Sequence, residues 1–201
     1  MKKIALYGAG GHAYAMLGVL DALDEYQPTI VYDDAPREST IMGVPVDSYR
    51  TQDSETTIFC ISIGDNKARA QVAEHLSGEF PVLCHPKAVV GTGFQAGEGC
   101  MILAGSIIDT DVQIGRFTIL NNQSTLSHNV RVGEFCHIAI NVAIAGRVTI
   151  GNRVLIGAGA VVLPGITIAD GAVIGAGAVV TKNVPKNAVM VGNPGKIIRY
   201  E

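Results

Sequence analysis

From Val90 to Val184 an aliphatic residue or an alanine returns every six positions without a break. The frame reads Val90, Ala96, Ile102, Ile108, Ile114, Leu120, Leu126, Val132, Ile138, Ile144, Ile150, Ile156, Val162, Ile168, Ile174 and Val180, sixteen hexads in one register. The next position is small in many of them (Gly91, Gly97, Gly115, Gly133, Gly151, Gly157, Gly175), and the fifth is small or β-branched in most (Ser106, Val112, Thr118, Val148, Val154, Ala160). A period of six fits neither the 3.6 of a helix nor the two of a long alternating strand; it marks a hexapeptide β-helix. Three short strands close one triangular coil, with the aliphatic residue turned inward on each face and the glycines expected to permit tight corners. Coils stack at the sheet spacing of about 4.7–4.9 Å, so residues eighteen apart become vertical neighbours. About five coils are expected from the frame.

The first eighty or so residues have a different pattern. Lys3 to Tyr7 reads as a buried strand, followed by Gly8-Ala9-Gly10-Gly11-His12-Ala13 and an apolar helix from about Ala13 to Leu23. A G-x-G-x-x-A run between strand and helix is the context of a phosphate-binding turn, where glycines admit a phosphate and the helix N-terminus supplies amide donors. A second strand, Thr29 to Tyr32, ends in Asp33-Asp34, carboxylates able to accept from a ribose or base. Gly43-Val44-Pro45-Val46 looks like a turn between short extended pieces. Further strands are expected at Thr57 to Ile63 and Pro81 to Cys84, with a helix from Lys67 to Leu76 capped by Asp65 or Asn66. This is a small α/β unit with a parallel sheet, too short for a two-halved dinucleotide fold, so a mononucleotide-type site is favoured. The division falls at 1–84, a Rossmann-like domain with a mononucleotide-type site, and 85–201, the β-helix with a C-terminal cap.

Net charge is −3, basic clusters are absent and aromatics are few, which argues against a nucleic-acid surface. The apolar run after Met1-Lys2-Lys3 breaks at Gly8, too early for a signal peptide, and no stretch approaches a membrane span; a cytoplasmic protein is expected. Cys60, Cys84, Cys100 and Cys136 lack C-x-x-C spacing. Cys100 and Cys136 lie two coils apart, about 9–10 Å along the stack, beyond disulfide reach. Buried packing is their simplest reading.

Polar residues in the coils concentrate between Asn121 and Asn141, with Asn121, Asn122, Ser124, Ser127, His128, Asn129 and His137. His128 takes the third hexad position, an outward corner where an imidazole is available as a general base near neutral pH. Gly146 lies one coil above it on the same corner, and its N–H is a candidate donor to a developing negative charge. His128 and His137 are half a coil apart and no third histidine ligand is evident, so a zinc site is disfavoured and no metal is expected.

The combination of these parts resembles, nearly end to end, the sialic-acid O-acetyltransferase-like family of sugar acyltransferases. The matching stretches are Gly8-Ala9-Gly10-Gly11-His12, Asp33-Asp34, Ile63-Gly64-Asp65-Asn66, Ser127-His128-Asn129 and the tail from Val184 to Lys196. That family includes N-acetyltransferases of nucleotide-linked 4-amino-4,6-dideoxy sugars. The resemblance implies left-handed coils, a homotrimer with active sites at subunit interfaces, and acetyl-CoA as co-substrate. It implies His128 as catalytic base, His137 near the thioester, Asn121 in the substrate site, and His12, Asp33, Asp34, Gly64 and Asn66, with Gly10 and Gly11 of the glycine-rich turn, around the nucleotide. The expected activity is N-acetylation of a nucleotide-linked amino sugar for a bacterial surface glycan. O-acetylation of a sugar or sialic acid, or a non-catalytic nucleotide-sugar scaffold, are the alternatives. One position departs from the family pattern: the acid that often follows the catalytic histidine is Asn129 here, so either Asn129 itself serves as a weaker catalytic partner that orients the ring, or Asp109, Asp111 or Glu134 substitutes.

Overall fold

The computed structural model describes residues 1–49 and 57–201. At the N-terminus, β1 (Lys2–Tyr7), β2 (Tyr26–Tyr32), β3 (Thr40–Ile41), β4 (Val44–Asp47) and β5 (Ile58–Ile61) form a sheet in the order β3-β4-β2-β1-β5. Pairing is parallel from β4 through β2 and β1 to β5, as anticipated for an α/β unit, with an antiparallel edge. The extended pieces around Gly43 are that edge: Ile41 faces Val44 across a two-residue turn in which Met42 and Gly43 both have positive φ, the combination that matches strand twist in a tight hairpin. Helix α1 (Gly11–Asp21) buries Ala13, Met16, Leu17, Val19 and Leu20. Helix α2 (Asn66–His75) starts at Asp65, whose carboxylate accepts from Ala68 N at 2.8 Å.

The hexads form the sixteen two-residue strands from β7 (Val89–Val90) to β22 (Val179–Val180), each parallel to the strand eighteen residues away. Inward positions from Ile102 to Val180 are almost fully buried; Val90, at the open end of the stack, remains 45% exposed. The solenoid is longer than the five coils of the frame. Strand β6 (Leu83–Cys84), expected in the α/β sheet, pairs instead with β9 (Met101–Ile102). At the other end β23 (Ala188–Val191) adds to β21 (Val173–Ile174), and β24 (Lys196–Tyr200) folds back antiparallel on β23 as a cap.

The role expected of the second-position glycines also changes. Positive φ falls two residues later, at the fourth hexad position, where Asp111, Phe117, Asn129 and Phe135 all adopt it. Gly97 and Gly115 are required for a different reason: a Cβ there would sit 2.5 and 2.6 Å from backbone atoms of the adjacent coil. The stacking distance, not the corner, selects glycine.

The three faces differ outwardly. An eight-stranded face carries the α/β unit: Leu83, Met101, Leu103 and Ile119 share one core with Ile4, Met16, Leu17 and Leu20. Phe80, Phe117 and Phe135 extend this contact, the last two stacked with centroids 5.2 Å apart. A six-stranded face presents Val89, Ile107, Thr125, Ala143, Val161 and Val179 in register, with Val89, Ile107 and Val161 36–61% exposed. A five-stranded face presents Gln95, Gln113, Arg131, Thr149 and Thr167.

Candidate active site

The glycine-rich turn opens into a cleft of about 290 Å³ that includes Gly10, Gly11, His12, Asp34 and Gly64. Gly8, with φ of +106°, is held by Gly8 N donating to Tyr32 O, and a Cβ there would meet Ile63 at 2.5 Å. A Cβ on Gly10 or Gly11 would meet nothing within 4 Å, so the bare backbone at these positions leaves space on the cleft side. Gly10 caps α1 without any side-chain bond, which leaves helix N-terminal amides for an anion.

Asp33 and Asp34 divide their work. Asp33 accepts from Ala9 N at 2.7 Å and Ala35 N at 2.9 Å, so it braces the glycine loop from behind. Asp34 accepts from the Tyr7 hydroxyl at 2.5 Å and also lines an adjoining cleft of about 310 Å³ with Tyr49 and His75. Burial, followed by the bond to Asp34, pushes the Tyr7 phenol well above its ordinary pKa. Among the described residues, His12 Nε2 is a buried side-chain nitrogen with no hydrogen-bond partner. Burial first, then His137 and Arg69, lowers the His12 pKa to about 4, so the ring is neutral at pH 7.

His12 stands beside His137 with ring centroids 5.9 Å apart. His137 Nδ1 lies 3.0 Å from Gly64 O, an acceptor, so Nδ1 carries the proton and Nε2 accepts from Asn121 Nδ2 at 3.1 Å. Both ring nitrogens are thus used within the chain, and burial lowers the pKa of the ring. Asn66 is likewise engaged: Nδ2 donates to Val154 O and Oδ1 accepts from Arg69. His12, Gly64, Asn66, Asn121 and His137 therefore meet where the α/β unit rests on the solenoid.

Arg69 holds that junction and was not singled out from the sequence. It is fully buried, yet no carboxylate among the described residues bonds to it; the guanidinium donates to Phe117 O, Ile63 O, Gly64 O, Cys136 O and Asn66 Oδ1 at 2.7–3.1 Å. Burial lowers its pKa to about 10, leaving it charged at pH 7. In a polar helix it reads as one more surface cation, and no local pattern distinguishes it.

A second cluster lies elsewhere. His128, Asn129 and Gly146 occupy the corner between the six- and five-stranded faces, the vertex opposite the face that carries the α/β unit. His128 is exposed, its Nδ1 3.0 Å from Asn129 Oδ1. Gly146 sits directly over the ring. Of the three carboxylates considered as substitutes for an acid at 129, Asp111 is the one in contact: Asn129 Nδ2 donates to it at 2.7 Å. Glu134 pairs with Arg116, and Asp109 accepts from Thr110 N. One chain does not bring His128 and His137 together.

The cysteines are all free, and Cys100 and Cys136 do more than pack: their thiols point to Gly115 O and Gly151 O, each at 3.0 Å, as the Thr118 hydroxyl does to Gly133 O between them. Among the described residues no three His, Cys, Asp or Glu side chains are grouped to hold a metal ion, and no helix is long and apolar enough to cross a membrane.

A parallel solenoid with an outward histidine at a corner, joined to an α/β unit with an open anion-receiving turn, is the architecture of a hexapeptide acyltransferase. Residues 3–76 match the family described as PglD N-terminal domain, and residues 129–163 and 148–182 match the bacterial transferase hexapeptide family. Over 114 residues the chain is 31% identical to UDP-N-acetylbacillosamine N-acetyltransferase of Bacillus subtilis, an alignment spanning about half (52%) of each protein. It superimposes with a TM-score of 0.90 on PerB from Caulobacter crescentus, solved in complex with CoA and GDP-perosamine, at 31% identity over 99% of this chain and 98% of that one. The acetyltransferase domain of PglB from Neisseria gonorrhoeae gives a TM-score of 0.89 at 27% identity, covering 98% of this chain and all (100%) of that one. The chain belongs to the hexapeptide-repeat family of nucleotide-amino-sugar N-acetyltransferases.

Proposed function

We propose that this protein transfers an acetyl group from acetyl-CoA to the amino group of a nucleotide-linked amino-dideoxy sugar, a precursor of a bacterial surface glycan, in the cytoplasm. The observation that carries the reading is the corner at His128, where Nδ1 is tied to Asn129 and Gly146 covers the ring. His128 Nε2 takes a proton from the attacking amine, and Gly146 N–H, which bonds no acceptor among the described residues, receives the thioester oxygen as negative charge develops there. The proton then passes to the departing CoA sulfur.

The nucleotide occupies the cleft between the turn at Gly10-Gly11 and Asp34, with its phosphates at the N-terminus of α1 and His12 in the lining. His137 bonds Gly64 O of the cleft lining, with Asn121 behind it on the solenoid. Because His128 lies at the vertex away from this cleft, the site is completed by a second copy, in a homotrimer whose contacts cover the apolar six-stranded face. Domain limits of 1–82 and 83–201 accompany this reading, two residues earlier than the limit at 84 expected from the sequence, because β6 (Leu83–Cys84) pairs with β9 of the solenoid.

The test is free-thiol release from acetyl-CoA with a panel of nucleotide-linked 4-amino sugars, wild type beside His128→Ala. Turnover with one sugar, lost in the variant, is expected. Equal turnover in both proteins would remove His128 from the chemistry, and no turnover with any amine would shift the acceptor to a hydroxyl.

A further inference from the structure

The amide at position 129 is part of a directed chain of hydrogen bonds. Asp111 Oδ2 accepts from Asn129 Nδ2 at 2.7 Å and from Arg131 NH2 at 2.8 Å, and Arg131 also donates to the Asp111 main-chain carbonyl. A carboxylate only accepts, so it dictates which end of the Asn129 amide faces it. The opposite end, Oδ1, therefore meets His128 Nδ1 at 3.0 Å, and an amide oxygen accepts only a proton-bearing nitrogen. Nδ1 then carries the hydrogen, and Nε2 carries the lone pair.

We propose that Asp111, acting through Asn129, is a positioning residue that holds His128 in the Nδ1–H tautomer with Nε2 free to accept a proton, and that Arg131 anchors Asp111. The consequence for turnover rests on the acetyltransferase reading; the tautomer does not. Asp111 and Asn129 are stacked eighteen residues apart at the fourth hexad position, both in the left-handed region that Asp and Asn adopt more readily than other non-glycine residues. The bond from Arg131, then that from Asn129, lowers the Asp111 pKa, so the carboxylate is ionised at neutral pH. When His128 gains a proton, the same amide oxygen, polarised by the carboxylate behind it, continues to accept from Nδ1–H. The carboxylate is supplied by the adjacent coil rather than by the residue that follows His128. Asp109 in the coil below and Arg147 in the coil above are the other charged residues of this corner in the adjacent coils, with Lys182 three coils up, and among the described residues none of them bonds to the ring.

The experiment reads the tautomer directly. Nitrogen-15 spectra of full-length, substrate-free protein labelled in histidine would be recorded for wild type and Asp111→Asn, with His128 signals assigned by their loss in His128→Ala. Wild type is expected to show Nδ1–H. Asn at 111 offers donor and acceptor alike, so the Asn129 amide can turn over and the tautomers mix. The kcat is expected to fall about 10–100-fold while KM for acetyl-CoA stays within about twofold. The double variant Asp111→Asn with Asn129→Asp puts a carboxylate directly on Nδ1, and should restore the tautomer and most of kcat. A wild-type Nε2–H ring, or a pure Nδ1–H ring in Asp111→Asn, overturns the proposal. The expected tautomer shift in a wild-type protein that acetylates no amino sugar would uphold the relay and reject the acetyltransferase reading instead.

Discussion

A Cβ at position 146 would lie 2.6 Å from both Cε1 and Nε2 of His128, so the imidazole rests against bare backbone one coil above it. The contact makes Gly146 a steric partner of His128 as well as a candidate amide donor. In Gly146→Ala the exposed ring swings aside, because moving a surface side chain costs less than distorting the coil. Thermal stability should change little, while kcat should fall about 100-fold, the scale of a misplacement near 1 Å at a reacting group. Steady-state kinetics beside a melting curve separates the two effects; loss of stability with retained kcat would refute this account.

Arg69 should be the most sensitive residue outside the solenoid core. Replacing it with Met leaves the carbonyls of Phe117, Cys136, Ile63 and Gly64 without their buried donor. A loss of about 3–5 kcal/mol is expected in denaturant unfolding. Arg69→Lys should recover little of it, since an ammonium cannot reproduce the planar fork that reaches two coils and the loop before α2 at once.

Stability should fall with acid in a definite window because of His12. Its folded pKa, about 4, is below the ordinary 6.5, so between these values the unfolded chain binds the extra proton. The contribution is fully present above pH 6.5 and is lost as pH falls toward 4, by at most about 3 kcal/mol. His137, lowered in the same direction by burial, adds to the slope. Comparing wild type with His12→Leu by unfolding at several pH values should show the slope in this window reduced in the variant.

The apolar six-stranded face should govern assembly. Ile107 and Val161 project from it at 47% and 36% exposure. Charges there would be buried unpaired between subunits. The double variant Ile107→Glu with Val161→Glu should elute as a monomer by light scattering and lose turnover, with its circular dichroism unchanged. An intact trimer would place the interface elsewhere.

The sequence by itself determined the solenoid, its inward ladder and the His128–Gly146 stack, because a strict period of six and a vertical repeat of eighteen convert spacing into geometry without reference to any distant contact. The turn at Gly10-Gly11 and the cap at Asp65 were legible for a similar reason, being set by residues a few positions apart. Tertiary structure decided the rest. Leu83–Cys84 joined the solenoid because its free edge at β9 offered parallel pairing. Arg69 became a buried key only because carbonyls from two successive coils at one corner of the solenoid and from the loop before α2 converge on it. The separate duties of Asp33 and Asp34, and the choice of Asp111 over Asp109 and Glu134 behind Asn129, depended on side-chain direction across elements. Composition and spacing do not encode direction; the packing of element on element, within the α/β unit and coil on coil, does.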